Sequence, residues 1–287
     1  MLRAVVTSTP SWTCPSCAAA VSTPYCASCG ERRPLSTRDL TLRALFEQLF
    51  HAISSVDGRL LRSLRGLLTR PGALTLAFVR GERKNYLGPI QLFFIANALF
   101  FATQSLTHMN VFSSSLDSHL HHQDWSNVAQ SLVAERVQAK HVTLEAYAPV
   151  FDHAVVLNAK SLVILMVLPF ALLLPLVFSS TPQPFVGHAV FALHFYAFLL
   201  LLFCAALVVA LVSVWLGGPG LSSTRMDHAV SIVNFGVCLI YLYLAIGACY
   251  HSAGVLRLVQ VLGLGVAAAG IVIGYRFLLL LITLYTT

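Results

Sequence analysis

Along this chain the apolar and polar positions are patterned on two scales. On the long scale, charged residues vanish: none stands between Lys84 and Asp117, between Lys160 and Arg225, or between Asp227 and Arg257. A soluble fold cannot leave the 64 residues from 161 to 224 uncharged and still keep its surface in water. A bilayer-spanning helix needs roughly 20 apolar residues. The uncharged stretches therefore predict four spans, at about 89–107, 161–178, 188–213 and 229–250, and the apolar run at about 258–283, interrupted only by Arg276, predicts a fifth. Pro89 opens the first, where its missing N–H costs a helix least. Turn-forming residues at 179–184 and 217–220 bracket the third.

On the short scale, residues 36–87 carry helical periodicity. Ser36 and Asp39 form an N-cap with an acid at the third position. Leu42, Leu45, Phe46, Leu49, Phe50 and Ile53 then recur at the spacing of one helical face. Past Gly58 the pattern returns in Leu60, Leu61, Leu64, Leu67 and Leu68, with Arg59, Arg62 and Arg65 opposite, until Pro71 disfavours helix at the residue before it. Such an arm either lies in the membrane interface or packs its apolar face on the protein's own spans. Residues 108–159 are polar and read as an external loop region, with a short amphipathic helix around Val128, Leu132, Val133 and Val137. No internal repeat stands out. The expected organisation is a small module over 1–35, a basic amphipathic arm over 36–87, and an all-α polytopic membrane bundle over 88–287.

Composition supports that class, at 57% hydrophobic and 10% charged, against about 25% charged in soluble domains. The net charge of +7 is unevenly spread, since residues 1–87 hold 12 of the 18 Lys and Arg. Residues 108–159 hold Arg136 and Lys140 against five acids. The positive-inside rule then predicts a cytoplasmic N-terminus and arm, an external 108–159 region and an external C-terminus. Basic residues beside apolar spans point to anionic lipid headgroups as partners and make nucleic acid an unlikely one. The first ten residues lack the apolar run of a secretory signal, which fits an N-terminus in a reducing compartment.

Cys14-Pro15-Ser16-Cys17 and Cys26-Ala27-Ser28-Cys29-Gly30 are two CxxC knuckles with eight residues between them. Four thiolates satisfy a tetrahedral zinc ion and leave no open position, so the expected site is structural. Disulfides conflict with a reducing compartment. A thioredoxin-type motif would need a neighbouring βαβ pattern. An iron–sulfur cluster also takes four cysteines, but matched knuckles favour zinc. Cys204, Cys238 and Cys249 fall within spans and read as packing groups.

Asp57-Gly58-Arg59-Leu60-Leu61, then Thr69-Arg70-Pro71-Gly72, then Arg80-Gly81-Glu82-Arg83-Lys84-Asn85-Tyr86-Leu87-Gly88-Pro89 form a recognisable series. Together with the cysteine knuckles, it resembles a bacterial inner-membrane family of unknown function. That family pairs an N-terminal CxxC…CxxCG ribbon with an RPG…GxRxxYxxP segment before the first span. The resemblance covers roughly 14–107, with looser similarity around Phe191–Phe195. It implies an inner-membrane location and this architecture, and no reaction. Read physically, Arg80, Arg83, Lys84 and Tyr86 could form a lipid-headgroup collar, or serve as ordinary topogenic flanking residues.

Polar groups inside the spans are the other candidates. Arg276 lies within the fifth span, where a buried Arg costs at least ~2.5–3.5 kcal/mol at mid-membrane. It must snorkel outward or pair with helix carbonyls, Tyr241, Tyr243 or a lipid phosphate. His188, His194 and His251 are expected near one membrane face, as hydrogen-bonding groups or as a metal or proton site. The tract Asp117, His119, His121, His122 and Asp124 reads as a flexible polar loop or a divalent-metal site. No HExxH, GxSxG or Walker A motif is present. Two functions from different classes fit. One is a non-enzymatic scaffold or adaptor that docks a cytoplasmic protein partner through its zinc ribbon and basic arm. The other is a transporter or lipid-handling protein built around Arg276. The shortage of acidic groups in the spans argues against ion coupling and favours the scaffold.

Overall fold

In a computed structural model the described residues are 11–31, 58–107, 109, 111–179, 181, 183–218 and 224–287. The expected helix over 36–53 lies outside them. Two short antiparallel strands, β1 (Trp12–Thr13) and β2 (Ala20–Val21), pair Trp12 with Val21 and Thr13 with Ala20. The other regular elements among the described residues are helical: α1 (Arg59–Thr69), α2 (Ala73–Arg80), α3 (Pro89–Thr107), α4 (Leu116–His121), α5 (Ser126–Ala139), α6 (Leu144–Leu162), α7 (Val167–Val177), α8 (Phe185–Trp215), α9 (Thr224–Tyr250) and α10 (Gly254–Thr286). A 3-10 turn at Val163–Met166 joins α6 to α7.

Among the described residues, five helical segments are long and apolar enough to cross a membrane: Pro89–Thr107, Leu144–Val177, Phe185–Trp215, Met226–Tyr250 and Gly254–Thr286. The second differs most from expectation, beginning at Leu144 rather than near 161. Glu145, Asp152 and Lys160 break the run of apolar residues without breaking the helix. Tyr147, Phe151, Val155 and Ala159 recur every four residues and are all buried, and Thr143 caps the helix by accepting from the Ala146 N–H at 3.3 Å. The charges mark where an apolar environment ends, and the helix runs on past that point. The 108–159 region is thus largely helical, with α5 covering the amphipathic stretch expected around Val128–Val137.

The centre of the bundle is the first half of α8, where every residue from Val186 to Leu200 is buried. It packs most extensively against α3, then against α7, with α2 and α9 also in contact. Stacked rings pin these helices together: Phe170 on Phe195 at 4.9 Å, Phe198 on Tyr241 at 3.8 Å and Phe178 on Tyr250 at 3.8 Å between centroids. A helix buried on all sides has no amphipathic signature, which is why α8 reads in the sequence only as a long apolar run.

The α1–α2 hairpin is wedged into this bundle at the Pro89 end of α3. Its turn, Arg70-Pro71-Gly72, is tight because Gly72 sits at φ +85 and ψ −19. A Cβ there would meet the Ala245 carbonyl oxygen, the Ala248 Cβ and the Cys249 Sγ, each at 3.1 Å. Cys249 Sγ approaches the Gly72 oxygen at 3.4 Å. Glycine is therefore required twice over, for its backbone conformation and for the close approach of α9. One turn deeper, Thr75 Oγ1 and His194 Nδ1 are hydrogen-bonded at 2.9 Å, both buried. Ser63 of α1 accepts from the Leu87 N–H at 2.8 Å, tying the hairpin to the segment that leads into α3.

Candidate metal centre

The two CxxC segments fold into matching knuckles. Cys14 N–H donates to the Ala19 oxygen and Ala18 N–H to the Cys14 oxygen, at 2.9 and 2.8 Å. Twelve residues on, Cys26 N–H donates to the Glu31 oxygen and Gly30 N–H to the Cys26 oxygen, at 2.7 and 2.6 Å. Ala18 (φ 59) and Gly30 (φ 72) hold the same left-handed position in each. The repeat is one of backbone geometry, so it escapes a search for similar residues.

This geometry brings the four sulfurs within 4.8 Å of one another. Cys14 Sγ lies 3.4 Å from Cys29 Sγ, and Cys17 Sγ lies 3.5 Å from Cys26 Sγ. An ion with bonds of about 2.3 Å to four thiolates needs sulfur separations of about 3.8 Å, so the four cysteines fit a tetrahedral metal. Burial would raise the Cys26 thiol, but the Cys29 and Ser28 N–H groups aimed at its sulfur outweigh that and lower it to about 6. Cys29 receives an N–H from Glu31, but burial and the three neighbouring sulfurs push it up to about 12. The thiols of Cys26 and Cys29 are thus driven in opposite directions, and a bound cation would favour the thiolate at both.

The module is seated on the bundle through Glu31, which is buried. Its Oε2 accepts from Ser16 Oγ of the first knuckle at 2.6 Å and from the Lys84 backbone N–H at 3.1 Å. The four residues expected to form a headgroup collar divide accordingly. Arg80 and Lys84 are exposed, Tyr86 packs against the bundle core, and Arg83 lies over the Phe78 ring at 4.8 Å. Sequence reasoning missed Glu31, and the signal available was its place directly after the second knuckle.

The intramembrane candidates separate. His188 Nδ1 bonds the Tyr250 hydroxyl at 2.9 Å and stacks on its ring. His194 bonds Thr75, as above. His251 is exposed in the turn between α9 and α10, at φ 54. Arg276 lies in the second half of α10, ten residues before its last, where its Nη2 donates to Ser114 Oγ at 2.7 Å. That serine belongs to the segment after α3 and was not among the protein partners expected for Arg276 from the sequence. Nineteen positions separate Arg257 from Arg276, about 28 Å along a helix, close to the ~30 Å hydrocarbon core. Arg257 covers the Tyr243 ring at 3.7 Å and donates to its carbonyl through Nε at 2.8 Å.

The histidine tract also divides. His121 pairs with Asp117 at 2.9 Å on the exposed side of α4, beside exposed His122. His119 points inward, fully buried between Trp125 and Phe151. Burial, helped by the Arg276 charge, lowers its pKa to about 4.

Residues 57–101 match the model of a protein family described as a protein of unknown function, DUF3667. The matched stretch holds the α1–α2 hairpin, its Gly72 turn, the Lys84 segment and most of α3. No curated protein and no solved structure matches the chain.

Proposed function

We propose that Cys14, Cys17, Cys26 and Cys29 hold a structural zinc ion. On this reading the protein is a non-enzymatic scaffold or adaptor of a bacterial inner membrane, with the zinc ribbon and basic arm on the cytoplasmic side. The observation that carries it is the Glu31 bridge. One carboxylate ties both knuckles to the Lys84 backbone, so the ribbon is a fixed platform at the entry to the first span. Four sulfurs in a closed set leave no position for a substrate, which supports a presenting rather than a reacting role. Tyr25, 58% exposed on the ribbon, together with exposed Arg80 and Lys84, offers an aromatic and basic surface to a partner.

Metal analysis of the purified full-length protein tests the first half. One zinc per chain is expected, and less than half an equivalent, or zinc retained by Cys26→Ser, overturns it. A photo-crosslinker at position 25 tests the second half in cells. One stoichiometric protein partner, lost in Cys26→Ser, is expected, and recovery of none refutes the adaptor.

A further inference from the structure

At the Arg276 end of the bundle, two buried hydrogen-bond donors lack an acceptor. The Trp125 indole, which can only donate, gives its N–H to His119 Nδ1 at 3.2 Å. His119 Nδ1 must then be the acceptor, and the ring proton sits on Nε2. That Nε2 is buried without a partner. Arg276 spends Nη2 on Ser114, while its Nε is likewise buried without a partner. Buried donors are nearly always satisfied, and a half-buried guanidinium whose nearest opposing charge, Asp227, does not hydrogen-bond it leaves that requirement open.

The carboxylates nearby do not supply the acceptor. Asp152 Oδ1 is taken by the Leu116 N–H at 2.7 Å, and Asp227, exposed at the start of α9, acts on Arg276 only across space. The Arg276 charge reaches His119, and the two stand beside one another through Trp125, which bonds His119 and whose ring meets that of Phe277, the neighbour of Arg276, at 5.6 Å. Ser114, hydrogen-bonded to Arg276, keeps a hydroxyl proton of its own to donate.

We propose that Arg276, His119 and Ser114 form a binding site for a phosphate group at the membrane face opposite the cysteine module. Phosphate is the anion that belongs at this depth, because Arg276 stands one hydrocarbon thickness from Arg257, where phospholipid headgroups lie. A guanidinium offers phosphate a fork of donors, and the neutral imidazole adds a donor without a second charge. Ile273 and Leu278, exposed on α10 on either side, provide an apolar surface for acyl chains. The site stands independently of the zinc-ribbon reading.

Native mass spectrometry of the purified full-length protein tests this with three probes: phosphatidylglycerol, diacylglycerol with the same chains, and inorganic phosphate. One phosphatidylglycerol per chain and no selective diacylglycerol binding are expected. Inorganic phosphate that fails to compete identifies the source as lipid, and inorganic phosphate that binds without lipid identifies it as the free ion. Charge-assisted and neutral hydrogen bonds set the scale: Arg276→Gln should weaken binding at least about tenfold and His119→Gln about fivefold. Arg257→Gln, at the other face, should leave it unchanged. Should Arg276→Gln fail to fold, Arg276→Lys keeps the charge, loses the fork, and should bind several-fold more weakly. Equal binding of diacylglycerol and phosphatidylglycerol, binding of neither phosphate probe, or wild-type affinity in the foldable Arg276 variant overturns the proposal.

Discussion

Replacing Gly72 by alanine probes the seat of the α1–α2 hairpin directly. The left-handed backbone costs a residue with a Cβ about 1–2 kcal/mol. The new methyl would face three atoms at 3.1 Å. One is a backbone carbonyl on α9 and cannot rotate away, so overpacking adds about 1–3 kcal/mol. Alanine recovers about 0.5–1 kcal/mol of unfolded-state entropy. The net loss is about 1–4.5 kcal/mol, or roughly 2–8 °C in melting temperature for a chain of this length. Thermal unfolding of the full chain in detergent measures it, with Gly263→Ala as control. Gly263 is exposed on α10 and a Cβ there meets nothing within 4 Å, so that change should be neutral or stabilising by up to about 1 kcal/mol. If Gly72→Ala melts with Gly263→Ala, the close approach of the turn to α9 is not part of what holds the bundle together.

Ala18→Gly should relieve the strained position of the first knuckle, gaining about 0.5–1 kcal/mol, and slow metal loss to a chelator. Glu31→Ala should leave metal stoichiometry unchanged while freeing the Lys84 amide, read as at least about tenfold faster hydrogen exchange there; unchanged exchange would count against the Glu31 bridge. Acidification should expose His119. Its folded pKa lies below the unfolded value, so the unfolded state takes up the proton first and wild-type stability falls as pH drops from about 6.5 to about 4. The advantage of wild type over His119→Gln should shrink across that window by an amount on the order of 3 kcal/mol, measured by melting at pH 7.5 and 4.5.

Much of the architecture is legible in the sequence because a bilayer imposes one strong rule, the absence of charge over a helix length. That rule locates apolar environments and not helix ends, which is why α6 was hidden behind Glu145, Asp152 and Lys160. The short α2 was missed for a different reason. Ala73 to Val79 is too brief and too uniformly apolar to show a period, and its register is set by partners far away in the chain, Thr75 against His194 and Gly72 against Cys249. The cysteine set was readable because CxxC spacing is itself a geometric statement. The role of His119 was not, since a histidine amid exposed polar neighbours looks like them until Trp125 and Phe151 close over it. Arg276 was recognisable as costly, but its partner Ser114 lies 162 positions away, beyond what local pattern can reach.

The hairpin turn at Gly72 rests on Cys249, 177 residues later in the chain. During synthesis this seat does not exist until the fourth span has left the ribosome and entered the bilayer. Until then α2 has only part of its seat, the α8 side where Thr75 meets His194, and the Gly72 turn stands open on its α9 side. The stretch shared with the family of unknown function is made early and finished late. Its docking is complete only once the fourth span is in place.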